Sequence, residues 1–294
     1  MKFAYLIMVH NRFDVLKELL IDLDDERNDI FLHIDKKTKN VDFDSIKQIV
    51  KKSRIYFIPR MKIFWGDFSQ IKCIWSLLEY ATKNGYYDYY HFMVGVEYPL
   101  KNQNYIHNFF EKNEGCEFVG FDKYDMNYLN RIRYYHLAGK YNRSNSFWGK
   151  LIKKINEKSL ILQKKVSFSR TTKGMEYFKK GYANWSITDA FARYLVKQKK
   201  YLSIYKYTLC ADEIIIHTFL FNSPFYKMVF DKDDEYRSAM RITTWKDSKN
   251  QYHMQDVEEL VNSDYLFARK FDTTDALQII ECIKKFRKLI DRKA

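Results

Sequence analysis

Two adjacent carboxylates, Asp212 and Glu213, stand at the predicted start of a helix over residues 212–221. A carboxylate fixed on a rigid element can act as a general base that takes a proton from an attacking hydroxyl group. The structural alternative is that Asp212 caps the helix and Glu213 is a first-turn acid favoured by the helix dipole. The residues alone leave both interpretations open.

Two cations, Arg241 and Lys270, have unusual surroundings for surface charges. Arg241 belongs to a strand-like run, and Lys270 lies in an apolar segment beside Phe267 and Phe271. Cationic side chains can neutralise the charge that develops on a leaving group. The alternative is that both are ordinary solvated charges.

Several cofactor and metal motifs are missing from the sequence. No GxGxxG follows the first predicted strand, and neither GxxxxGK[ST] nor HExxH occurs, which argues against a dinucleotide fold, a P-loop and a zinc hydrolase. The three matches to DxD lie inside a predicted helix, at a helix cap and in a charged loop, rather than after a buried strand: Asp22 to Asp24, Asp42 to Asp44 and Asp231 to Asp233. We therefore expect no metal and no cofactor.

Strands and helices alternate through the first half of the chain and must position these residues. Apolar runs predict strands at 3–9, 31–34, 55–58, 89–94 and 117–121, and Asn11 and Asp42 are expected to cap the first two helices. This alternation predicts an α/β fold with a mostly parallel central sheet flanked by helices. Ligands bind at the carboxyl ends of strands in such sheets. Three segments fall there: Val9 to Asn11, Asp35, and Gly95 to Glu97.

The second half of the chain is less regular. Residues 183–187 and 240–243 are strand-like, residues 188–200 are helical, and residues 275–292 form a closing amphipathic helix. Because no repeat or linker interrupts the chain, we predict one domain over 1–294. We assign residues 1–121 to a nucleotide-binding half and residues 122–294 to an acceptor and catalytic half.

The composition is that of a globular protein rich in aromatic residues. Aromatic residues make up 18% of the chain, and Tyr and Trp suit sugar-binding clefts because a pyranose has an apolar face and a polar rim. The four cysteines form no CxxC pair, which favours reduced thiols. No run of 18 apolar residues occurs, and the run at 3–9 is too short for a signal peptide. We therefore expect a cytoplasmic protein.

Nearly all of the formal charge of +14 comes from one segment, because residues 147–206 contain 15 Lys and Arg residues against three acids. Leu151, Ile155, Leu162 and Val166 fall near one helical face with lysines largely off it, which predicts a basic amphipathic helix. We hypothesise that this helix rests peripherally on the inner face of the cytoplasmic membrane. The alternative is a helix packed on the core with its lysines in water. Nucleic acid is not expected as a partner, because no zinc-finger spacing or RNP-like motif accompanies the charge.

Nine short segments, in their order along the chain, resemble the core-2/I-branching N-acetylglucosaminyltransferases and the related peptide O-xylosyltransferases, in the bacterial form without a membrane anchor. They are AYLIMVHN at 4–11, LHIDK at 32–36, WG at 65–66 with FSQ at 68–70, GVEYPL at 95–100, RIRYY at 131–135, NWS at 184–186, DE at 212–213, RITTW at 241–245 and LFARKFD at 266–272. Each segment is weak alone, and their common order gives the resemblance its weight.

The resemblance implies a GT-A-type nucleotide-binding fold and an inverting single displacement without a required metal. Glu213 matches the general base of that family. Arg241 and Lys270 match the pair of cations that neutralises the diphosphate of UDP.

The same resemblance implies where the donor and the acceptor bind. Val9, His10 and Asp35 match uridine-contacting positions, with Asp35 accepting from the uracil imide N–H, and Gly95 lines the donor pocket. The acceptor-side residues are Glu97, Arg131, Arg133 and Trp185, and the alternative for Trp185 is an ordinary core position. Bacterial relatives usually have Asp where this chain has Glu97, and a longer carboxylate beside the donor leaves the identity of the sugar open.

The expected activity is transfer of a sugar from a UDP-sugar to a hydroxyl of a glycan or lipid-linked glycan, in the synthesis of a bacterial surface polysaccharide or glycolipid. UDP-N-acetylglucosamine is the default donor of the family, and UDP-galactose (in either ring form) and UDP-xylose are the alternatives. Two further alternatives belong to other functional classes. They are a basic nucleic-acid-binding protein and an inactive scaffold of a polysaccharide-synthesis complex.

Overall fold

The computed structural model describes residues 1–123, 125–170, 178–243 and 251–291. Strands in this part of the chain are β1 (Phe3–Val9), β2 (Asn28–Ile34), β3 (Arg54–Phe57), β4 (Tyr89–Val94), β5 (Glu97–Pro99), β6 (Trp185–Thr188), β7 (Arg241–Thr243) and β8 (Phe267–Arg269). The helices are α1 (Phe13–Leu23), α2 (Phe43–Ile49), α3 (Phe68–Asn84), α4 (Gln103–Lys112), α5 (Leu129–Arg133), α6 (Phe147–Lys165), α7 (Asp189–Lys197), α8 (Ile215–Phe221), α9 (Glu235–Ala239), α10 (Val257–Asn262) and α11 (Ala276–Asp291).

The larger sheet has five strands in the order β3-β2-β1-β4-β6. The first four strands are parallel, and β6 joins the edge of β4 in the antiparallel direction. The prediction of an α/β fold with a mostly parallel central sheet flanked by helices is therefore confirmed.

Side chains of β1 alternate between two hydrophobic cores, one on each face of this sheet. Tyr5 and Ile7 enter the core formed with α1, α4 and α11. Ala4 and Leu6 enter the core formed with α3, α7 and α8. A strand covered on both faces needs apolar residues at successive positions, which explains the uninterrupted apolar run at 3–9.

A second sheet of three strands, in the order β5-β8-β7, covers one side of the first. β8 pairs with β5 in the antiparallel direction and with β7 in the parallel direction. Both sheets therefore combine strands from the two halves of the chain, 1–121 and 122–294. β5 and β8 are three residues long, and the sequence did not predict them as strands.

The segment predicted as a strand at 117–121 is not one. Glu117 and Phe118 form isolated bridges to Val229 and Ser186, and the chain then leaves the sheet. The four cysteines are free thiols. Among the described residues, none of the helices has both the length and the apolar character that crossing a bilayer requires.

Candidate active site

The carboxyl ends of β1, β2 and β4 meet at one edge of the larger sheet. The Asp35 amide donates to the Val9 carbonyl at 2.9 Å, and the Gly95 amide donates to the Met8 carbonyl at 3.0 Å. The structure thus brings together three of the residues that the sequence assigned to the nucleotide. We call this edge, with His10 and Lys270, the nucleotide edge.

Gly95 is required here by a close approach of the chain. A Cβ atom at this position would lie 2.5 Å from Cγ2 of Val9, whose side chain is buried in the core. Because a β-branched core side chain cannot move aside, a side chain at position 95 would push apart the ends of β1 and β4.

Asp35 is buried and holds the turn that follows β2. Its Oδ1 accepts from the Lys37 amide at 2.8 Å, and its Oδ2 lies 3.4 Å from Lys37 Nζ. A carboxylate has about four acceptor sites, so these contacts leave capacity for a further donor. The observed contacts of the side chain are those of a turn, and its contact with uridine stays a prediction.

Charged residues from two parts of the chain surround His10 at the nucleotide edge. Partial burial of the ring lowers the pKa of His10 below its ordinary value, and the charges of Lys37 and Lys270 lower it as well. Asp35 and Asp272 act in the opposite direction. His10 therefore lies among charges from β2 and from the segment after β8, and Lys270 belongs to the same edge.

Lys270 reaches this edge because β8 is paired with β5, with Arg269 opposite Glu97. The Phe271 amide donates to the Val96 carbonyl at 2.9 Å. Lys270 Nζ lies 3.1 Å from Asp272 Oδ2, and the lysine side chain is 38% exposed. A half-exposed ammonium group at the carboxyl edge is placed where an anionic ligand can reach it.

Arg241 lies elsewhere, in the interior between the two sheets, and is 1% exposed. Its Nε donates to Glu97 at 2.9 Å, its Nη1 donates to the Ala239 carbonyl at 2.8 Å, and its Nη2 donates to the Trp185 carbonyl at 3.1 Å. A diphosphate would reach this guanidinium only after these contacts opened. The structure therefore does not bring Arg241 together with Lys270, in contrast to the expectation from the sequence.

Glu97 and Trp185, expected on the acceptor side, are both fully buried. Burial raises the pKa of Glu97, and the charges of Arg241 and Arg269 oppose that rise. The indole of Trp185 stacks on Phe92 with 5.3 Å between the ring centroids. Because neither side chain reaches the surface, the structure places them in the core and not against an acceptor.

Glu213 and Arg131 form an ion pair at the surface of the second half. Arg131 Nη1 donates to Glu213 Oε2 at 2.6 Å, and the side chains are 28% and 17% exposed. Glu213 ends the 3₁₀ turn Ala211–Glu213, which leads into α8. Arg131 comes from α5, and Arg133 is exposed at the end of the same helix. The pair holds one carboxylate oriented and accessible, as a general base requires.

Asp212 has the more perturbed environment of the two adjacent acids. The Gln70 amide donates to its Oδ2 at 3.1 Å, whereas its buried Oδ1 has no hydrogen-bond partner among the described residues. Burial, followed by the charge of Glu213, raises the pKa of Asp212 to about 7. The sequence assigned Asp212 only a supporting role, and its pairing with Gln70 of the FSQ segment was not predicted.

An exposed indole, Trp65, lies beside these carboxylates. The Cys210 amide donates to the Gly66 carbonyl at 3.1 Å, and the Gly66 amide donates to Gln70 Oε1 at 2.6 Å. Trp65 is 45% exposed, with the Arg143 guanidinium 4.1 Å from its ring centroid. An exposed indole next to a carboxylate suits the apolar face of a sugar.

Arg269 connects the carboxylates with the nucleotide edge. Its Nη1 donates to Asn184 Oδ1 at 3.1 Å, and its positive charge lowers the pKa of Asp212. Lys270, the next residue, lies at the nucleotide edge. The cationic pair 269–270 therefore lies between that edge and the carboxylates of Asp212 and Glu213.

Further acids lie close to Glu213. Lys180 Nζ is 2.7 Å from Asp122 and 3.1 Å from Asp125. Burial raises the pKa of Glu235 to about 7, and the charge of Asp122 adds to that rise. Among the residues that the structure describes, no three His, Cys, Asp or Glu side chains are grouped so that they could hold a metal ion.

The three DxD matches have structural contacts instead. Asp22 accepts from Arg287 and Tyr98, and Asp24 accepts from the amides of residues 51–53. Asp42 caps α2, and Asp231 accepts from the amide of Asp233.

Ligands bind at the carboxyl edge of a parallel sheet, and an oriented carboxylate near that edge can act as a general base. The family model of the Core-2/I-Branching enzyme matches residues 3–266. The chain belongs to this family, as the nine segments indicated, and it is a glycosyltransferase of the core-2/I-branching type.

Among solved structures, the chain is similar to apo mouse xyloside xylosyltransferase 1. The two chains share 9% sequence identity with a TM-score of 0.41, and the match covers 91% of this chain and 97% of the mouse chain. No curated protein matches the sequence.

Proposed function

We propose that the protein is an inverting, metal-independent glycosyltransferase that moves a sugar from a UDP-sugar to a hydroxyl of a glycan acceptor. UDP-N-acetylglucosamine is the first candidate donor, followed by UDP-galactose and UDP-xylose. The acceptor belongs to a bacterial surface polysaccharide or glycolipid. The observation that carries the proposal is the Glu213–Arg131 pair, which lies across the cationic residues 269–270 from the nucleotide edge.

In the proposed reaction, the Glu213 carboxylate takes the proton of the acceptor hydroxyl as its oxygen attacks the anomeric carbon. The new carbon–oxygen bond forms on the face of the donor sugar opposite the diphosphate, and the bond from the anomeric carbon to the diphosphate oxygen breaks with its electron pair passing to UDP. Lys270 neutralises the charge that develops on the diphosphate, and Arg269 adds to the positive field. Trp65 supports the acceptor sugar through its apolar face.

Buried Arg241 has a different role in this proposal. It links the smaller sheet, in which β8 positions residues 269–270, to the Trp185 carbonyl in the larger sheet. Its effect on the donor is therefore exerted through the position of β8.

A screen of UDP-sugars in the presence of EDTA tests the donor and the metal independence together. We expect one UDP-sugar to raise the melting temperature and to be hydrolysed or transferred at the same rate with and without EDTA. A strict requirement for Mn²⁺ would contradict the metal-free mechanism. Binding of UDP without turnover of any donor and acceptor pair would instead support an inactive scaffold.

Lys270→Ala tests the diphosphate contact. Loss of a charge-assisted contact should weaken UDP binding by about 10- to 100-fold and uridine binding much less. Lys285→Ala, which removes an exposed ion-paired lysine on α11, is the matched control and should change neither affinity. Equal weakening of UDP and uridine by Lys270→Ala would argue against a contact with the diphosphate.

A further inference from the structure

Helix α6 exposes most of its apolar side chains, and only Ile152 and Leu160 are partly buried. Phe147 is 75% exposed, Trp148 66% and Leu162 60%, and Ile155 and Val166 are more than half exposed. Gly149 is the one buried residue of α6. A surface helix of a globular protein normally turns such residues towards the core.

The inner face of α6 is attached to the protein through polar groups. Asn156 Oδ1 accepts from the Leu137 amide at 2.6 Å, and Gln163 Oε1 accepts from the Tyr135 amide at 2.8 Å. The Gln163 amide also donates to the Tyr135 carbonyl at 3.1 Å. Because two amide side chains fix the helix to the backbone at 135–138, its exposed apolar stripe is not part of either core.

A row of lysines borders this apolar stripe. Lys150, Lys154, Lys158 and Lys165 are exposed, and they recur with the spacing of one helical face. The single acid on the helix is Glu157. Adjacent apolar and cationic stripes match the boundary between the acyl chains and the anionic headgroups of a bilayer, because one stripe enters the hydrocarbon and the other meets the phosphates.

We propose that α6 docks the protein peripherally on an anionic lipid bilayer through Trp148, Leu151, Ile155, Leu162 and Val166, with the lysine row on the headgroups. The helix inserts only to the depth of its side chains. The occupant of the exposed stripe is therefore a membrane surface and not a second copy of the chain.

Helix α6 begins next to the acceptor side of the site. What docking does for that site rests on the proposed function. Ser146 caps the helix three residues after Arg143, which lies 4.1 Å from the Trp65 ring centroid, and Asn142 Nδ2 lies 3.4 Å from the Trp65 carbonyl. A docked α6 thus holds the acceptor side of the site close to the membrane, where a lipid-linked glycan would present its sugars.

Sedimentation of the full chain with vesicles tests the docking without any UDP-sugar. The vesicles contain either phosphatidylcholine alone or phosphatidylcholine with phosphatidylglycerol, at low and at high ionic strength. We expect binding to the anionic vesicles at low salt, weakening as salt screens the lysines. We also expect a blue shift of tryptophan fluorescence that Trp148→Phe largely removes.

Paired variants distinguish the contribution of the docking surface to vesicle binding from that of overall charge and hydrophobicity. Lys154→Gln with Lys158→Gln should lower the partition coefficient by about 25-fold, about fivefold for each lysine. The control pair Lys197→Gln with Lys200→Gln, which makes the same change in net charge on another surface, should leave it within about twofold. Leu162→Ser should lower the partition by about tenfold, and Leu289→Ser, at a similarly exposed site on α11, should not.

Three results would overturn the docking proposal. They are absence of binding to anionic vesicles at low salt, equal losses in the α6 variants and their controls, and a protein dimer that Leu162→Ser dissociates. Because none of these measurements involves UDP or transfer, they remain distinct from a failure of the proposed activity.

Discussion

Two neighbouring acids, Asp212 and Glu213, have opposite surroundings although they are adjacent in the chain. Glu213 is partly exposed and paired with Arg131, so it remains oriented towards the surface. Asp212 is held by Gln70, has an unpartnered oxygen and has a pKa of about 7. The accessible, ion-paired acid suits proton acceptance, whereas the acid with the buried, unpartnered oxygen titrates near neutral pH.

Glu213→Gln should lower the transfer rate by about 1,000-fold, because the amide cannot accept the proton of the acceptor hydroxyl. Affinity for UDP should stay within about twofold, since the side chain does not contact the nucleotide edge. Transfer assays and calorimetry measure the two quantities. Glu18→Gln, which breaks an ion pair with Lys284 far from the site, is the control. Transfer that survives in Glu213→Gln would rule out its role as the base.

The sequence located part of the site at the residue scale. Val9, Asp35 and Gly95 could be assigned to one edge because the carboxyl ends of parallel strands must meet, whereas Lys270 was assigned only from the resemblance. The burial of Arg241 and Glu97 could not be foreseen, whereas a core position was one of two alternatives for Trp185. It depends on how strands of three or four residues pair, and such strands are too short for their periodicity to show which side chains face inward.

At the scale of elements, long apolar strands and the Asp42 cap of α2 were predicted closely, whereas the cap of α1 was not. β1 and β4 have the predicted bounds. Asn11 was expected to cap α1, but Arg12 precedes the helix in a left-handed conformation and donates to Asp14 and to the Thr273 carbonyl. The contact with Thr273 is a tertiary one between segments far apart in sequence, which local capping rules do not contain.

Gly95→Ala should destabilise the protein by about 1–3 kcal/mol, because the new methyl group would overlap with Val9 at the ends of β1 and β4. Affinity for UDP should fall with it, since the nucleotide edge would be displaced. Gly85→Ala is the matched control, because its backbone is extended and its Cβ would meet only ordinary contacts with Tyr87. Denaturant unfolding and UDP titration measure both effects, and equal stability of the two variants would contradict the close approach.

Glu117 connects two elements through a buried carboxylate. Its Oε2 accepts from the Thr188 amide at 3.0 Å and its Oε1 from the Thr188 hydroxyl, at the start of α7. Burial raises the pKa of Glu117 from 4.5 to about 7, and the Thr188 contacts oppose this rise. Stability that comes from the protonated form is therefore fully present below pH 4.5 and is lost as the pH rises through 7.

Glu117→Gln keeps a neutral side chain at every pH and can retain both contacts, since the Thr188 hydroxyl can accept as well as donate. The variant should therefore gain on the order of 3 kcal/mol relative to the wild type at pH 8 and almost nothing at pH 4. Urea unfolding at the two pH values measures this difference. Exposed Glu111→Gln should show no such dependence, and a gain in Glu117→Gln that is the same at both pH values would contradict the raised pKa.

For the whole molecule, buried Arg241 joins the two sheets, because it pairs with Glu97 inside the smaller sheet and also contacts the larger one. The two charged groups are 2.9 Å apart and both are buried, and the same guanidinium donates to the Trp185 carbonyl of β6. Breaking a buried pair by removing one partner leaves an uncompensated charge, which is more costly than losing both partners. The relative position of the sheets, and of residues 269–270, therefore depends on the contacts of Arg241 with Glu97 and with β6.

Arg241→Met should destabilise the protein by about 3–5 kcal/mol, and adding Glu97→Gln should recover part of that loss. Arg237→Met, which removes an exposed ion pair, should cost less than about 1 kcal/mol. Denaturant unfolding of the single and double variants measures the coupling. A strong, selective loss of UDP affinity in an Arg241 variant of native stability would instead assign it to the diphosphate.

Each sheet combines strands from the first half of the chain, 1–121, and the second half, 122–294. This arrangement has a consequence during translation. When the ribosome has synthesised the first 121 residues, β4 has no neighbour on one side, because β6 is encoded more than 60 residues later. β5 lacks its pairing strand for longer still, because that strand, β8, begins at Phe267. A nascent chain thus carries open strand edges through most of its translation, so protection from aggregation at that stage falls to the ribosome and to chaperones.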